Sequence, residues 1–359
     1  MRKYIETIVI LLTLLIASCS DKKESEEKLH LMREEIMNNL LTNILPFWEV
    51  YAPDPSGGFY GALQNDGAPL PGSPKSLLLN ARILWAFSSA YRAFEVENYK
   101  QIADRAQEYL IHHFIDPQYG GVYWSLTPTG QPADTNKHTC ALTATIYALA
   151  EHYRATAQEE SRLQAIALYN TLQTHNWHPS GNTISTHTYL LEALANLYRI
   201  WPDEQLKEQL TALLHHFHTQ PASCMHHTQI AWQLYEAATL IGDKALTDKT
   251  KKLSIALANA QLRKARTPAK GNIPQWHPQA EAIITFINAW QLTGKAEYAT
   301  AAIASWSWIK DYLVDHEYGE WYHSADENNL PITSLPKASI WKSPYHNTRM
   351  ALETITRIP

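Results

Sequence analysis

One loop motif occurs three times and limits what this chain can fold into. DPSGGFYGALQNDGAPLP starts at Asp54, DPQYGGVYWSLTPTGQP at Asp116 and DHEYGEWYHSADENNLP at Asp315. Each opens with Asp, passes through Gly-Gly or Gly-Glu, alternates aromatics and ends in a turn with Pro. That pattern predicts a short β-hairpin. The first glycines, Gly57, Gly120 and Gly319, lie 63 and 199 residues apart, so the second interval is close to three times the first. The unit therefore reads as a helix pair plus an inserted hairpin, with two middle hairpins missing or trimmed.

Between the hairpins the apolar residues recur at helical spacing. The pattern predicts helices over 27–46, 75–95, 98–115, 137–156, 159–175, 185–200, 203–219, 226–242, 245–264, 277–294, 296–314 and 342–357. In 137–156, Leu142, Ile146, Leu149, Ala150 and Tyr153 share a face; in 277–294, Ala280, Ile283, Ile284, Ile287 and Trp290 do so. W-P-D at Trp201, I-G-D at Ile241 and T-G-K at Thr293 separate helices. Paired helices with loops gathered at one side predict an all-α fold, an (α/α)6 barrel with short inserted β-hairpins. An open α-solenoid is the alternative. Aromatic hairpins that could wall a central pocket favour the barrel. No linker interrupts residues 27–359, which predicts a single domain.

The N-terminus, MRKYIETIVILLTLLIASCS, places Arg2 and Lys3 before an apolar run from Ile8 to Ala17. The run is shorter than the ~20 residues of a membrane span. It ends I-A-S-C, which predicts a lipoprotein signal over residues 1–18, with Cys19 lipidated as the mature N-terminus. Residues 19–26 are charged and predict a solvated tether. The expected location is that of an exported bacterial lipoprotein, held to a membrane only by its lipid and facing the periplasm or cell exterior. The net charge of −5 shows no basic stripe, which argues against a nucleic-acid partner. Cys140 and Cys224 alone do not make a disulfide framework. The 12 Trp and 19 Tyr suit a sugar, whose C–H faces stack on rings while its hydroxyls meet polar edges. They equally suit a core.

Polar residues cluster at several helix starts. His346, in IWKSPYHNTRM, follows Pro344 and could serve as a base near neutral pH or as a structural histidine. Arg82 stands within the apolar LNARILW, where a buried guanidinium needs a polar or anionic partner. His187 in STHTYLLEA, His226 and His227 in MHHTQIAW, and Trp276, His277 and Glu281 in WHPQAEA occupy similar places. Several such clusters in register point to a shared pocket. His112/His113, His215/His216/His218 and His226/His227 lack the spacing of a zinc site, so no metal is expected. Paired carboxylates for glycoside hydrolysis are not marked by any motif.

LNARILWAFSSAYR, DPQYGGVYWSLTPTGQP, LLEALANLYRIWPD, PQAEA, GEWYH and WKSPYHNTRMALE resemble, in order, stretches of the N-acylglucosamine 2-epimerase superfamily, closest to its cellobiose and mannobiose 2-epimerase branch. The resemblance implies an (α/α)6 barrel that interconverts C2 epimers at the reducing end of a sugar, with no cofactor. It implies that one histidine takes the C2 proton to give a cis-enediolate and a second returns a proton on the other face. On its motifs His346 and His226 match the two catalytic histidines, Arg82 the arginine near O1 and O2, and His187 the first histidine of N-T-H-L-H. Trp341 and Trp232 match pocket aromatics, and Glu281 the glutamate of W-W-P-Q-A-E, with Trp276 beside it. The chain departs from H-D-I-E at Gln229, from N-T-H-L-H at Tyr189, and from W-W-P-Q-A-E at His277. It also carries Cys140 and Leu142 where the family has tyrosine and glutamine. The expected substrate is a small sugar or oligosaccharide, of the mannobiose, cellobiose or N-acyl hexosamine type, bound by a monomer or weak dimer. A glycan-binding lipoprotein without catalysis and, more remotely, a glycoside hydrolase are the alternatives.

Overall fold

Inner and outer helices differ in how much of their surface is apolar, and that difference builds the barrel. The computed structural model describes residues 23–174, 184–224, 228–266 and 273–359. Twelve main helices fill them. Helix α1 runs over residues 23–51, with π turns at Leu40–Ile44. Then come α2 (Leu77–Phe94), α3 (Glu97–Tyr109, continued by a π turn, Leu110–Phe114), α4 (Thr139–Thr156), α5 (Glu159–Thr174) and α6 (Ile184–Ile200). They are followed by α7 (Glu204–Thr219), α8 (Ile230–Ile241), α9 (Lys244–Arg266), α10 (Trp276–Thr293), α11 (Ala296–Tyr312) and α12 (Tyr345–Arg357).

Each even-numbered helix packs on the next, and α12 closes back on α2. The odd-numbered helices lie outside this ring, α3 on α2, α5 on α4, α9 on α8 and α11 on α10, with α1 against α12. The ring closes, so the fold is the (α/α)6 barrel rather than the open solenoid. Helix α2 is buried without interruption from Leu77 to Ala90, as an element wrapped on all sides must be. Helix α5 buries only Ser161, Ala165, Leu168, Tyr169 and Leu172, a single stripe. One hydrophobic cluster extends from Leu29 to Ile358.

Helix ends follow local chemistry. Gly242 and Gly294 adopt positive φ after α8 and α10, as their breaker motifs predict. Glu95 and Ala157 take the same left-handed conformation after α2 and α4. A side chain there costs roughly 1–2 kcal/mol, which the sequence alone does not suggest. Helix α8 starts at Ile230 with Gln229 as its cap, four residues later than expected. Pro344 delays α12 to Tyr345. Residues 23–26, expected as tether, are helical, with a Lys28–Glu24 contact of 2.6 Å. The expected leader and Cys19 lie outside the described residues. Among those residues no helix is long and apolar enough to cross a membrane.

The three repeated loops share one construction, more compact than the ladders expected. The residue before each Asp bridges the residue after the Gly pair: Pro53 to Phe59, Ile115 to Val122 and Val314 to Trp321. Two consecutive positive-φ residues turn the chain out of extended conformation within each loop, Gly57–Gly58, Gly120–Gly121 and Gly319–Glu320. At Gly58 a Cβ would stand 2.4 Å from the Tyr109 ring, so glycine is required there. The strands that do form are short. β1 (Lys75–Ser76), β2 (Ser125–Leu126) and β3 (Pro132–Asp134) make one antiparallel sheet in that order, pairing Ser76 with Ser125 and Ser125 with Asp134.

Each loop is locked by an Asp–Lys pair about 21 residues apart. Asp54 accepts from the Ser56 backbone N–H at 2.8 Å and pairs with Lys75 at 2.7 Å. Asp116 accepts from the N–H groups of Gln118 and Tyr119 at 2.9 and 3.1 Å and pairs with Lys137 at 2.7 Å. Asp315 accepts from Glu317 and Tyr318 at 2.9 and 3.2 Å and pairs with Lys337, which also donates to the Gly319 carbonyl at 2.9 Å. Burial alone would push the Asp116 carboxyl up, but Lys137 and the two N–H groups hold it at about 2.

Candidate active site

The inner helices that frame the cavity start at the same end of the barrel, and a cavity of about 480 Å³ opens there. Arg82 of α2, Tyr189 of α6, Gln229 at the cap of α8, His277 of α10 and His346 of α12 line it. His323 of the third loop and Trp341, just before α12, complete the wall. A helix start faces a pocket with unpaired N–H groups and one turn of side chains, so the clusters seen in the sequence converge here.

His346 is held from behind. Its Nδ1–H donates to Glu281 Oε1 at 2.8 Å, which leaves Nε2 as the nitrogen available to the cavity. Glu281 is fully buried, and the same oxygen accepts from Arg349 Nε at 3.1 Å and from Nη2. Its second oxygen accepts from Trp232 Nε1 at 3.2 Å. Arg349 also donates to Glu192 Oε1 at 2.6 Å and to the Tyr345 hydroxyl, and its guanidinium lies 4.3 Å from the Tyr345 ring. Gln233 adds a second hydrogen bond to Glu192.

Electrostatics keep the imidazole neutral. Burial pushes His346 well below the ordinary histidine range, and Arg82, Arg349 and Lys342 push in the same direction. Glu281 does not reverse this, because Arg349 shares its charge. A neutral ring with its Nδ1 proton fixed by a carboxylate is arranged to accept a proton at Nε2. His277 stands beside it, ring centroids 5.3 Å apart, and burial followed by His346 and Arg82 lowers it to about 3. His277 Nδ1 is buried without a hydrogen-bond partner, and the residue lines the cavity. His323 is lowered as well, by burial and then by Lys342.

Trp276 is ringed by these histidines, at 4.8 Å from His277, 5.0 Å from His323 and 6.1 Å from His346. Behind it lies Lys342, 5.2 Å from the Trp276 ring and paired with Glu320. Glu320 also accepts from Trp48 Nε1 at 3.0 Å and from Asn347 Nδ2 at 2.7 Å. The Gly-Glu form of the third loop thus supplies a buried carboxylate that anchors the start of α12.

Arg82 is 6% exposed, donates to the Trp341 carbonyl at 3.0 Å and packs 5.4 Å from the Tyr345 ring. Among the described residues it has no ion pair with a carboxylate, so its charge is available to a ligand. Trp341 is half exposed at the cavity edge, 6.2 Å from Trp124. Arg82, Trp341, Trp276, His277, Gln229 and His346 therefore all line the one cavity.

Three of the expected residues, His187, Trp232 and Glu281, do not line the cavity. His187 is buried against His216 and Phe217 of α7, with centroids at 4.4 and 6.1 Å, and does not line the cavity. Helical periodicity explains this, since Ser185 and Tyr189 are one turn apart on the cavity face and His187 points elsewhere. Trp232 and Glu281 lie one layer behind the wall, with Glu281 hydrogen-bonded to both His346 and Trp232. His226, like His227, lies outside the described residues. The sequence reading singled out neither Arg349 nor His323, and it named Tyr189 only as a departure from a family motif. Arg349 was detectable one turn after His346, and Tyr189 one turn after Ser185. Among the described residues no group of three potential ligands could hold a metal ion.

The sequence profile of the N-acylglucosamine 2-epimerase family matches residues 58–200 and 210–349. The cellobiose 2-epimerase of Bacteroides fragilis is 32% identical, covering 90% of this chain and 99% of its own length. That of Ruminococcus albus is 30% identical, with 91% and 99% covered. The solved structure of cellobiose 2-epimerase from Bacillus thermoamylovorans superposes with a TM-score of 0.85 at 30% identity, covering 91% of this chain and all of the other. Profile, relatives and superposed barrel agree: the chain belongs to the N-acylglucosamine 2-epimerase family and is a carbohydrate epimerase, an isomerase.

Proposed function

We propose that the chain epimerises the reducing-end sugar of a β-linked disaccharide of the cellobiose or mannobiose type at C2. The observation that carries this reading is the neutral His346, its Nδ1–H fixed by Glu281 and its ring in the wall of a sugar-sized cavity beside Arg82. The ring-opened sugar presents an aldehyde that acidifies C2–H. His346 Nε2 takes that proton, and Arg82 stabilises the negative charge on the enediolate oxygens. His226 returns a proton to the opposite face of C2, and the ring closes. In the sequence His226 precedes the cavity residues Thr228 and Gln229.

Gln229 stands where the family motif has glutamate, so the amide can hydrogen-bond but cannot charge-stabilise an imidazolium. Hydrolysis is disfavoured, because no residue lining the cavity is a carboxylate. The stretches 175–183, 225–227 and 267–272 contain no Asp or Glu either. We further propose that the chain is exported and anchored by a lipid on Cys19, which would bring it sugars released outside the cytoplasm.

The test is incubation with mannobiose, cellobiose and N-acetylmannosamine in D2O, following C2 by NMR. Deuterium at C2 together with the new epimer supports the reading. Ligand line broadening without exchange would leave a binding protein in its place. The pH profile is a second check. His346 acts as a base only when neutral, and its proton affinity is depressed. The rate should hold as pH falls past 6.5 and drop only in more acidic buffer. An acid limb at or above 6.5 would assign the base elsewhere.

A further inference from the structure

A second concave surface lies outside the reaction cavity and shares no lining residue with it. It is a groove of about 430 Å³ between the tip of the first loop and the third loop. Gln64, Asn65 and Asp66 form one bank, and Tyr318 and Tyr322 the other. The segment Thr333–Pro336 forms its floor. The same segment runs on to Trp341, which lines the reaction cavity, so one stretch of chain borders both.

The groove is built, not loose. Asn65 Nδ2 donates to the carbonyls of Thr333 and Leu335 at 2.6 and 3.2 Å, tying one bank to the floor. Asp66 Oδ1 accepts from the Ala68 N–H at 2.9 Å, and Gly67 closes the turn on the Gln64 carbonyl at 3.1 Å. On the other bank the Asp315–Lys337 lock holds the loop, and Lys337 Nζ sits 4.9 Å from the centre of the Tyr322 ring. Tyr318 is 40% exposed. Asp66 has no ion pair among the described residues, while the Asn65 side-chain oxygen is buried and faces away from a ligand's reach.

We propose that this groove is a second glycan-binding site, taking pyranose units of a neutral oligosaccharide; the proposal rests on reading the cavity as a sugar site. A pyranose offers a C–H face to a tyrosine ring and vicinal hydroxyls to a carboxylate or amide edge, and both are present on facing banks. The single charged lining group is a carboxylate, which accepts hydroxyl protons and repels an anionic ligand. Tyr318 contributes its ring, while the loop lock uses only its backbone N–H, so truncating the ring leaves the loop intact.

The experiment is calorimetric titration of wild type, Tyr318→Ala and Asp66→Asn with cellotetraose and mannotetraose, alongside C2 exchange of the disaccharides. Tetraose affinity should fall about tenfold in Tyr318→Ala and also drop in Asp66→Asn, while disaccharide exchange stays within about twofold of wild type. Equal tetraose affinity in all three proteins overturns the proposal, as does failure of either tetraose to bind wild type. Tetraose binding that depends on Tyr318 without any C2 exchange would leave the groove standing and the epimerase reading lost. C2 exchange together with tetraose binding that does not depend on Tyr318 would do the reverse.

Discussion

His346→Gln is expected to lower C2 exchange by about 10²–10⁴-fold while leaving the barrel folded. Glutamine fills similar space and can still meet the Glu281 side, but it has no nitrogen that accepts a proton near neutral pH. The measurement is deuterium incorporation at C2 under saturating disaccharide, with circular dichroism to confirm the fold. A variant exchanging within about tenfold of wild type would remove His346 from the role of base. The tautomer argument is more specific. If Glu281 serves to fix the Nδ1 proton, the effect should appear in kcat more than in KM, because the ground-state sugar makes no contact with that side of the ring.

Arg349→Met is expected to destabilise the fold by about 3–5 kcal/mol. The guanidinium is 1% exposed and separates two buried carboxylates, Glu192 and Glu281. Without it both are left in a low-dielectric interior with their charge uncompensated. The hydrogen bond to the Tyr345 hydroxyl and the stacking on that ring disappear as well. Urea unfolding of the two proteins gives the difference. The double variant Arg349→Met/Glu281→Gln should recover part of the loss, since one of the stranded charges is then gone. A single variant within about 1 kcal/mol of wild type would mean that the carboxylates find other partners. Methionine here should also depress C2 exchange, because the Glu281 side chain would lose the donors that hold it beneath His346.

Most of the barrel was legible because period and breakers agree. Leu142, Ile146 and Leu149 fall on a buried face of α4, and Gly242 and Gly294 end helices where their motifs said. What escaped notice is relational. Lys75, Lys137 and Lys337 look like surface lysines in the sequence, and nothing local ties each to an aspartate some 21 residues earlier. Glu95 and Ala157 cap helices in a conformation that their residue types disfavour. In the site, the motif residues His346, Arg82 and Trp341 line the cavity. Motif position could not separate a side chain in the wall from one behind it. Trp232 and Glu281 share motifs with cavity residues, yet they lie behind the wall, hydrogen-bonded to each other, with Glu281 also bonded to His346. His187 and Tyr189 differ by two positions, and only the turn of α6 decides which one meets the cavity.

The clasped loops have a consequence for how such a chamber can change. Each aspartate–lysine clasp keeps the two feet of a loop at a fixed spacing on the barrel rim, whatever lies between them. The tip can then be lengthened, shortened or resequenced as a separate module, without retuning the helices beneath. Rim and drum become separately editable parts: the loop tips can change at the mouth while Arg82, His277 and His346 keep their places in the wall.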